Sequence, residues 1–340
     1  MRKIAILFIT TIFLWSCETE FEVNAPWKDV SIVYGLLEAN KDTQYVKVYR
    51  AFLGEKDALM MASYPDSIYY NSEEVKVLLN EYTPSGSLNN TIVLQDTLLG
   101  DFTAINGANL IPNKAYYFHE PLNDAYDYEL IVAKKDTIRA LTSLVEDDIV
   151  DNSDNAINFM KINYNPDFDY DIDSLSPYRK WTSLAPLFTW KDLNNGVVYR
   201  LDVRFYFEEY ENIQNGSLIK QDSIEWRIFE GFEQYQCGFV GETFFSNVSN
   251  LIEANDSIKR LPGDLKIIFT VGGQELYDYY EYSQPSFSVL LEKPEYEGNI
   301  EKGYGVFSSR IQQEITRNLH FISKQRLEID PYTEDLNFFN

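Results

Sequence analysis

Alternate carboxylates at Asp167, Asp169, Asp171 and Asp173 form the densest run of candidate ligands in this 340-residue chain. Oxygens at one-residue intervals suit a hard cation, since calcium takes about six to eight oxygen ligands in a flexible shell. The EF-hand spacing is not met, because Ile172 stands where glycine is needed and Tyr178 where the bidentate glutamate belongs. The run therefore reads as a solvated acidic connection, with calcium as the alternative and no other cofactor expected. Transition-metal catalysis needs clustered imidazole or thiolate, and the chain holds only His119 and His320 with two cysteines. His119 is expected at a strand end, and His320, between Leu319 and Phe321, half buried. Cys237 reads as a small buried apolar residue rather than a nucleophile. Neither a Gly-x-Ser-x-Gly elbow nor a phosphate-cradling glycine loop with a lysine occurs, so no residue is assigned a catalytic role. Paired acids for glycoside cleavage are neither marked nor excluded among 53 acidic residues. Tyr277, Tyr279, Tyr280 and Tyr282 offer ring faces to sugars if exposed, or core packing with a polar rim.

A different chemistry is written at the start of the chain. Arg2 and Lys3 precede an uncharged run from Ile4 to Ser16, which stops at Leu14-Trp15-Ser16-Cys17. A basic start, a short apolar core and a small residue before the cut make an export signal. The run is too short to cross a bilayer as a helix, which takes roughly 20 apolar residues. The pattern resembles the bacterial lipoprotein signal, and that resemblance implies cleavage after residue 16 and lipid attachment at Cys17. An ordinary cleaved signal or an uncleaved anchor is the alternative. Acyl chains contribute about 0.8 kcal/mol per buried methylene, so two or more hold a protein stably to a membrane. Residues 17–27 read as an acidic tether, and Glu18, Glu20 and Glu22 resemble the signal that sorts Bacteroidota lipoproteins to the outer cell surface.

Composition narrows the remainder. A formal charge of −24 repels phosphate backbones and argues against a nucleic-acid partner. With 45% hydrophobic and 15% aromatic residues the chain can build real cores. Cys17 is taken by the lipid and Cys237 is left without a second thiol, so stability must come from core size rather than disulfides.

The elements that must carry any site are mostly strands. Gln44 to Arg50 and Glu74 to Leu78 alternate polar and apolar side chains, which places one face on a core and one in water. Turn residues at Pro84 to Ser87 and Asn89-Asn90 precede a β-rich run at Thr91 to Leu99. Asp127 to Val132 and Asp136 to Leu141 form a hairpin about Lys134-Lys135. Strands at this spacing argue for a sandwich over residues 28–145. Residues 146–180 are an acidic connection with one strand at Ile157 to Tyr164. A second β-rich unit occupies residues 181–330, where Leu187 to Trp190, a turn at Asn194-Asn195-Gly196, and Val198 to Phe205 read as a fibronectin-type hairpin anchored by Trp190 and Tyr199. Apolar residues recur at helical spacing in Phe244 to Ile252 and Glu275 to Tyr282. Gly303 to Phe307 reads as a strand, and residues 331–340 as a fraying tail. The expected fold is thus mainly β: two consecutive antiparallel β-sandwich units, immunoglobulin- or fibronectin-like, with one or two short helices in the second.

Val33-Tyr34-Gly35-Leu36-Leu37, Ala185-Pro186-Leu187-Phe188-Thr189-Trp190, Glu275-Leu276-Tyr277-Asp278-Tyr279-Tyr280 and Asn299 to Phe307 resemble the Bacteroidota lipoproteins of domain-of-unknown-function family 4249. That resemblance implies a mostly β, lipid-anchored outer-membrane protein facing the cell exterior, working beside a transporter or surface complex. It brings no catalytic residues. The expected role is therefore non-enzymatic ligand capture or accessory work in nutrient uptake, with a glycan hydrolase or a surface adhesin as alternatives.

Overall fold

The computed structural model describes residues 29–51, 64–102, 111–148, 159–160, 162, 187–232, 236–238, 240–283 and 298–340. The protein is mainly β, with a sandwich in its first half. One layer of that sandwich contains β1 (Val30–Leu37), β2 (Thr43–Ala51), β6 (Ile111–His119) and β5 (Gln95–Phe102). The other runs in the order β4 (Leu88–Val93), β3 (Lys76–Tyr82), β7 (Asp127–Ala133) and β8 (Ile138–Ser143). Alternation decides which side faces in: β7 and β8 bury every second residue, and Val33, Val46, Val48, Leu79, Leu130 and Val132 meet in one core. The Lys134-Lys135 hairpin forms as expected, pairing β7 with β8. The β-rich run from Thr91 to Leu99 falls on two strands, β4 and β5. Buried Leu94 marks the step at which the chain leaves one layer for the other.

In the second half, long strands β11 (Val198–Glu211), β12 (Leu218–Gly231), β14 (Ile258–Gly272) and β15 (Gly303–Leu319) extend the first layer into a nine-stranded sheet. Its inner face carries Leu201, Val203, Phe205, Leu265 and Ile267, covered by Phe244, Phe245 and Val248 of a helix, α2 (Gly241–Leu251). Each of these large side chains contributes roughly 1.5–3 kcal/mol on burial. Trp190 and Tyr199 stack at 6.2 Å between ring centroids, as the anchoring role requires. The hairpin expected around them is different. β10 (Leu187–Thr189) pairs with β13 (Gln236–Gly238), not with β11, whose two sides are already occupied by β12 and β14. Of the strand expected at 157–164, β9 (Phe159–Met160) is described, beside the end of β15. The expected helices appear as α2 and α3 (Gln274–Ser283), joined by two that periodicity does not announce, α1 (Pro65–Ile68) and α4 (Phe321–Ile329).

Two features correct or extend the linear picture. Residues 331–340 do not fray: Leu336 and Phe338 are buried, and the backbone of Arg260 on β14 bonds Asn337 and Phe339. The strand β15 serves both halves. Its residues 303–309 run parallel to β1, while residues 310–317 run antiparallel to β14. Phe307 joins the core of the first half and Ile311, further along the same strand, the core of the second. Among the described residues no helix is long and apolar enough to cross a membrane.

Candidate functional site

The outward side of the nine-stranded sheet is chemically divided. Over β11, β12, β14 and β15 it is a charge ladder: Arg204 pairs with Glu225 at 2.6 Å, Lys266 with Glu314 at 2.8 Å, and buried Asp202 accepts from Arg200 at 2.5 Å. The two exposed pairs, Arg204–Glu225 and Lys266–Glu314, are each worth about 0–1 kcal/mol, so they mainly keep the face wet and discourage strand addition at the β12 edge.

Over β1, β2 and β6 the same side is tyrosine. Because Val33, Gly35, Val46 and Val48 point into the core, Tyr34, Tyr45 and Tyr49 point out; Tyr34 is 37% and Tyr45 43% exposed. Tyr45 lies directly opposite Tyr117 of β6, with ring centroids 6.3 Å apart. Tyr34 meets Tyr49 edge-on at 6.1 Å and, on its other side, Tyr279 of α3 at 6.1 Å. Tyr69, after α1, tilts against Tyr49 at 5.6 Å. Edge-to-face rings at these spacings are favourable beyond their buried area, so the side chains hold one another in place. The Tyr34 and Tyr279 hydroxyls are 3.5 Å apart, and that hydrogen bond together with burial pushes the Tyr34 phenol up to about 12. It is a neutral donor and acceptor at any physiological pH.

α3 is positioned by a polar knot. Glu275 accepts from Ser308 at 2.8 Å and from Thr142 at 3.1 Å, and Ser309 bonds the Ser143 carbonyl and the Val145 amide. One carboxylate thereby ties the helix bearing Tyr279 to both layers of the sandwich.

A second cluster lies just before β1, at Asp29. Asp29 accepts from Lys134 and from the Tyr70 hydroxyl, both at 2.8 Å, with Arg50 3.7 Å away. Burial raises its pKa, but these hydrogen bonds and charges outweigh that and hold the carboxyl below the usual range. A depressed carboxylate stabilises the fold above its unfolded pKa, and that contribution is lost as pH falls through the folded value. In Lys134→Met the Asp29 carboxyl is expected to titrate at higher pH than in the parent, read by carbon-detected NMR. An unmoved titration would show that Lys134 does not hold it.

Cys17, Asp167, Asp169, Asp171 and Asp173 lie outside the described residues. Among those described, no group of three or more His, Cys, Asp or Glu is placed to hold a metal. His119 closes β6 with Nδ1 2.8 Å from Thr43 Oγ1, and His320 caps α4 by accepting from the Ile322 amide. Cys237 is half-buried on β13, and burial pushes its thiol up to about 12, which suits an inert apolar role. Tyr277 packs on Phe232 at 5.4 Å, while Tyr279 joins the outer face through its ring contact with Tyr34. An open groove of about 640 Å³ is lined by Glu73, Glu74, Asp96 and Tyr116. The Ser72 hydroxyl, 2.7 Å from Asp96, keeps that carboxyl low and ionised. Acid–base cleavage needs a partner pushed the other way. Among the described residues the carboxyl that is pushed up, Asp147, by burial and then by Asp124 and Asp148, does not line this groove.

Sequence reasoning misses the tyrosine face as a site, although its parity is visible in Tyr45-x-Lys47-x-Tyr49. Neither a protein-family model nor a curated protein matches this chain.

Proposed function

We propose that this chain is a lipid-anchored, non-enzymatic protein of the outer membrane, facing the cell exterior, that captures ligand for a nutrient-uptake or surface complex. The observation that carries the capture reading is the tyrosine face: aromatic rings mounted on interior strands of a large sheet and braced by one another. Tyrosines so held present contact area at small entropic cost on binding. The leader through Cys17 supports the anchor, and the likeness of the four short motifs to Bacteroidota lipoproteins supports the location. The clamp at Asp29 suits a tether, since it fixes the residue that follows the acidic stretch to the sandwich through Lys134 and Tyr70. Residues 18–28 separate Cys17 from Asp29, so a fully extended tether reaches at most about 40 Å from the lipid.

In cells fed a labelled fatty acid, the parent chain is expected to carry label and sediment with outer membranes. Cys17→Ser is expected to lose the label and most of the membrane-bound fraction. Equal sedimentation of the two would remove the anchor from the proposal, and recovery of the anchored protein with no membrane partner after cross-linking would remove the accessory role.

A further inference from the structure

We propose that the tyrosine face binds an uncharged oligosaccharide laid along β2, a ligand class that deepens the capture reading and rests on it. Charge is the first argument. A net −24 disfavours an anion, and the ring contacts that build the face bring no carboxylate to hold a cation. A neutral ligand is left.

Amphipathic chemistry is the second. A pyranose ring has an apolar C–H side and a rim of hydroxyls, and tyrosine offers a matching apolar ring with a hydroxyl at its tip. The Tyr34 phenol stays protonated beside Tyr279, and the Tyr117 hydroxyl donates to Gln95 at 3.1 Å, so both tips are oriented.

Shape is the third. The rings fall into two groups, Tyr45 with Tyr117 and Tyr34 with Tyr49 and Tyr279. Tyr45 and Tyr49 are four residues apart on one strand, which is ~13 Å at the rise of a β-strand. A single sugar ring cannot touch both groups; a short linear chain of them can. An extended peptide adding as a strand is disfavoured, because β1, β2 and β6 are interior strands with a paired strand on either side, β1 along residues 31–35 and β2 and β6 along part of their length.

Calorimetry of the full chain with linear hexasaccharides of glucose, xylose, mannose and galactose tests this, beside oligogalacturonate, a chitosan hexamer and extended apolar peptides. At least one neutral hexasaccharide is expected to bind, and its disaccharide more weakly. Tyr34→Ala and Tyr45→Ala are each expected to weaken binding about tenfold, as truncating an anchoring tyrosine does, while Tyr34→Phe retains most of it. Circular dichroism confirms that each variant is folded. Absence of neutral-sugar binding, preference for a charged sugar, or binding unchanged in both alanine variants would overturn the proposal. Peptide binding that is lost in Tyr34→Ala, with no sugar bound, would overturn the sugar class and leave ligand capture standing. Indifference of every probe to both alanine variants would overturn the two together.

Discussion

Gly305→Ala is expected to be among the most damaging single substitutions in the protein, detaching β15 from β1. Gly305 sits in the parallel stretch opposite Val33 with φ of 108°, a region that side-chain-bearing residues rarely adopt. A Cβ there would lie 1.9 Å from the Val33 carbonyl oxygen, and backbone, unlike a flexible side chain, cannot turn aside. Strain at such a φ costs on the order of 1–3 kcal/mol, and forced overpacking a similar amount. Their sum is a large share of the 5–15 kcal/mol that about spans the stability of folded proteins. The loss is also badly placed, since Phe307 fills the first core and Ile311 the second from the same strand. Both halves should therefore lose hydrogen-exchange protection together, with a urea midpoint well below the parent's. Lys302→Gly is the control, for it relieves a left-handed residue in the preceding turn and leaves the pairing alone. A Gly305→Ala protein as stable as the parent would show that β15 does not need this close approach.

That strand also marks the boundary of what the sequence discloses. β2, the β7–β8 hairpin, α2 and α3 are local: the period of Tyr45-Val46-Lys47-Val48 or of Phe244, Phe245 and Val248 names the element and its buried face. The parallel partner of β1 lies some 270 residues away in the chain, and no spacing rule reaches that far. The same holds for β10, whose partner is β13 because β11 is saturated on both sides. Parity shows that Tyr34, Tyr45 and Tyr49 point away from Val33 and Val46. It does not show whether another layer covers them, and exposure is what makes them a candidate site. The terminal residues read as frayed in sequence because nothing near them explains Leu336 and Phe338; their partner is Arg260.

Arg260→Met is expected to cost roughly 3–5 kcal/mol, the penalty for removing one member of a buried ion pair. The guanidinium is 3% exposed and donates to three separate segments: Glu209 on β11 at 3.0 Å, the Glu253 carbonyl beyond α2 at 3.0 Å and the Leu336 carbonyl at 2.8 Å. Its own backbone meanwhile pairs with Asn337 and Phe339, so one residue ties residues 336–339 to β14. Methionine fills the volume but leaves the Glu209 carboxylate in a dry site with Lys220, 3.4 Å away, as its nearby cation. Two carbonyls lose their donor as well, each a desolvation penalty of about 1–3 kcal/mol where water cannot enter. The Arg260→Met, Glu209→Met pair separates these causes. If the isolated carboxylate dominates, the double variant recovers most of the loss, because apolar replacement of a whole buried pair is often neutral. If the carbonyls dominate, the double variant stays as weak as the single one, and proteolysis cuts after residue 330 in both. Urea titration decides between them, and an Arg260→Met protein within about 1 kcal/mol of the parent would mean that the tail is held without the guanidinium, by buried Leu336 and Phe338 and by the backbone bonds of residue 260.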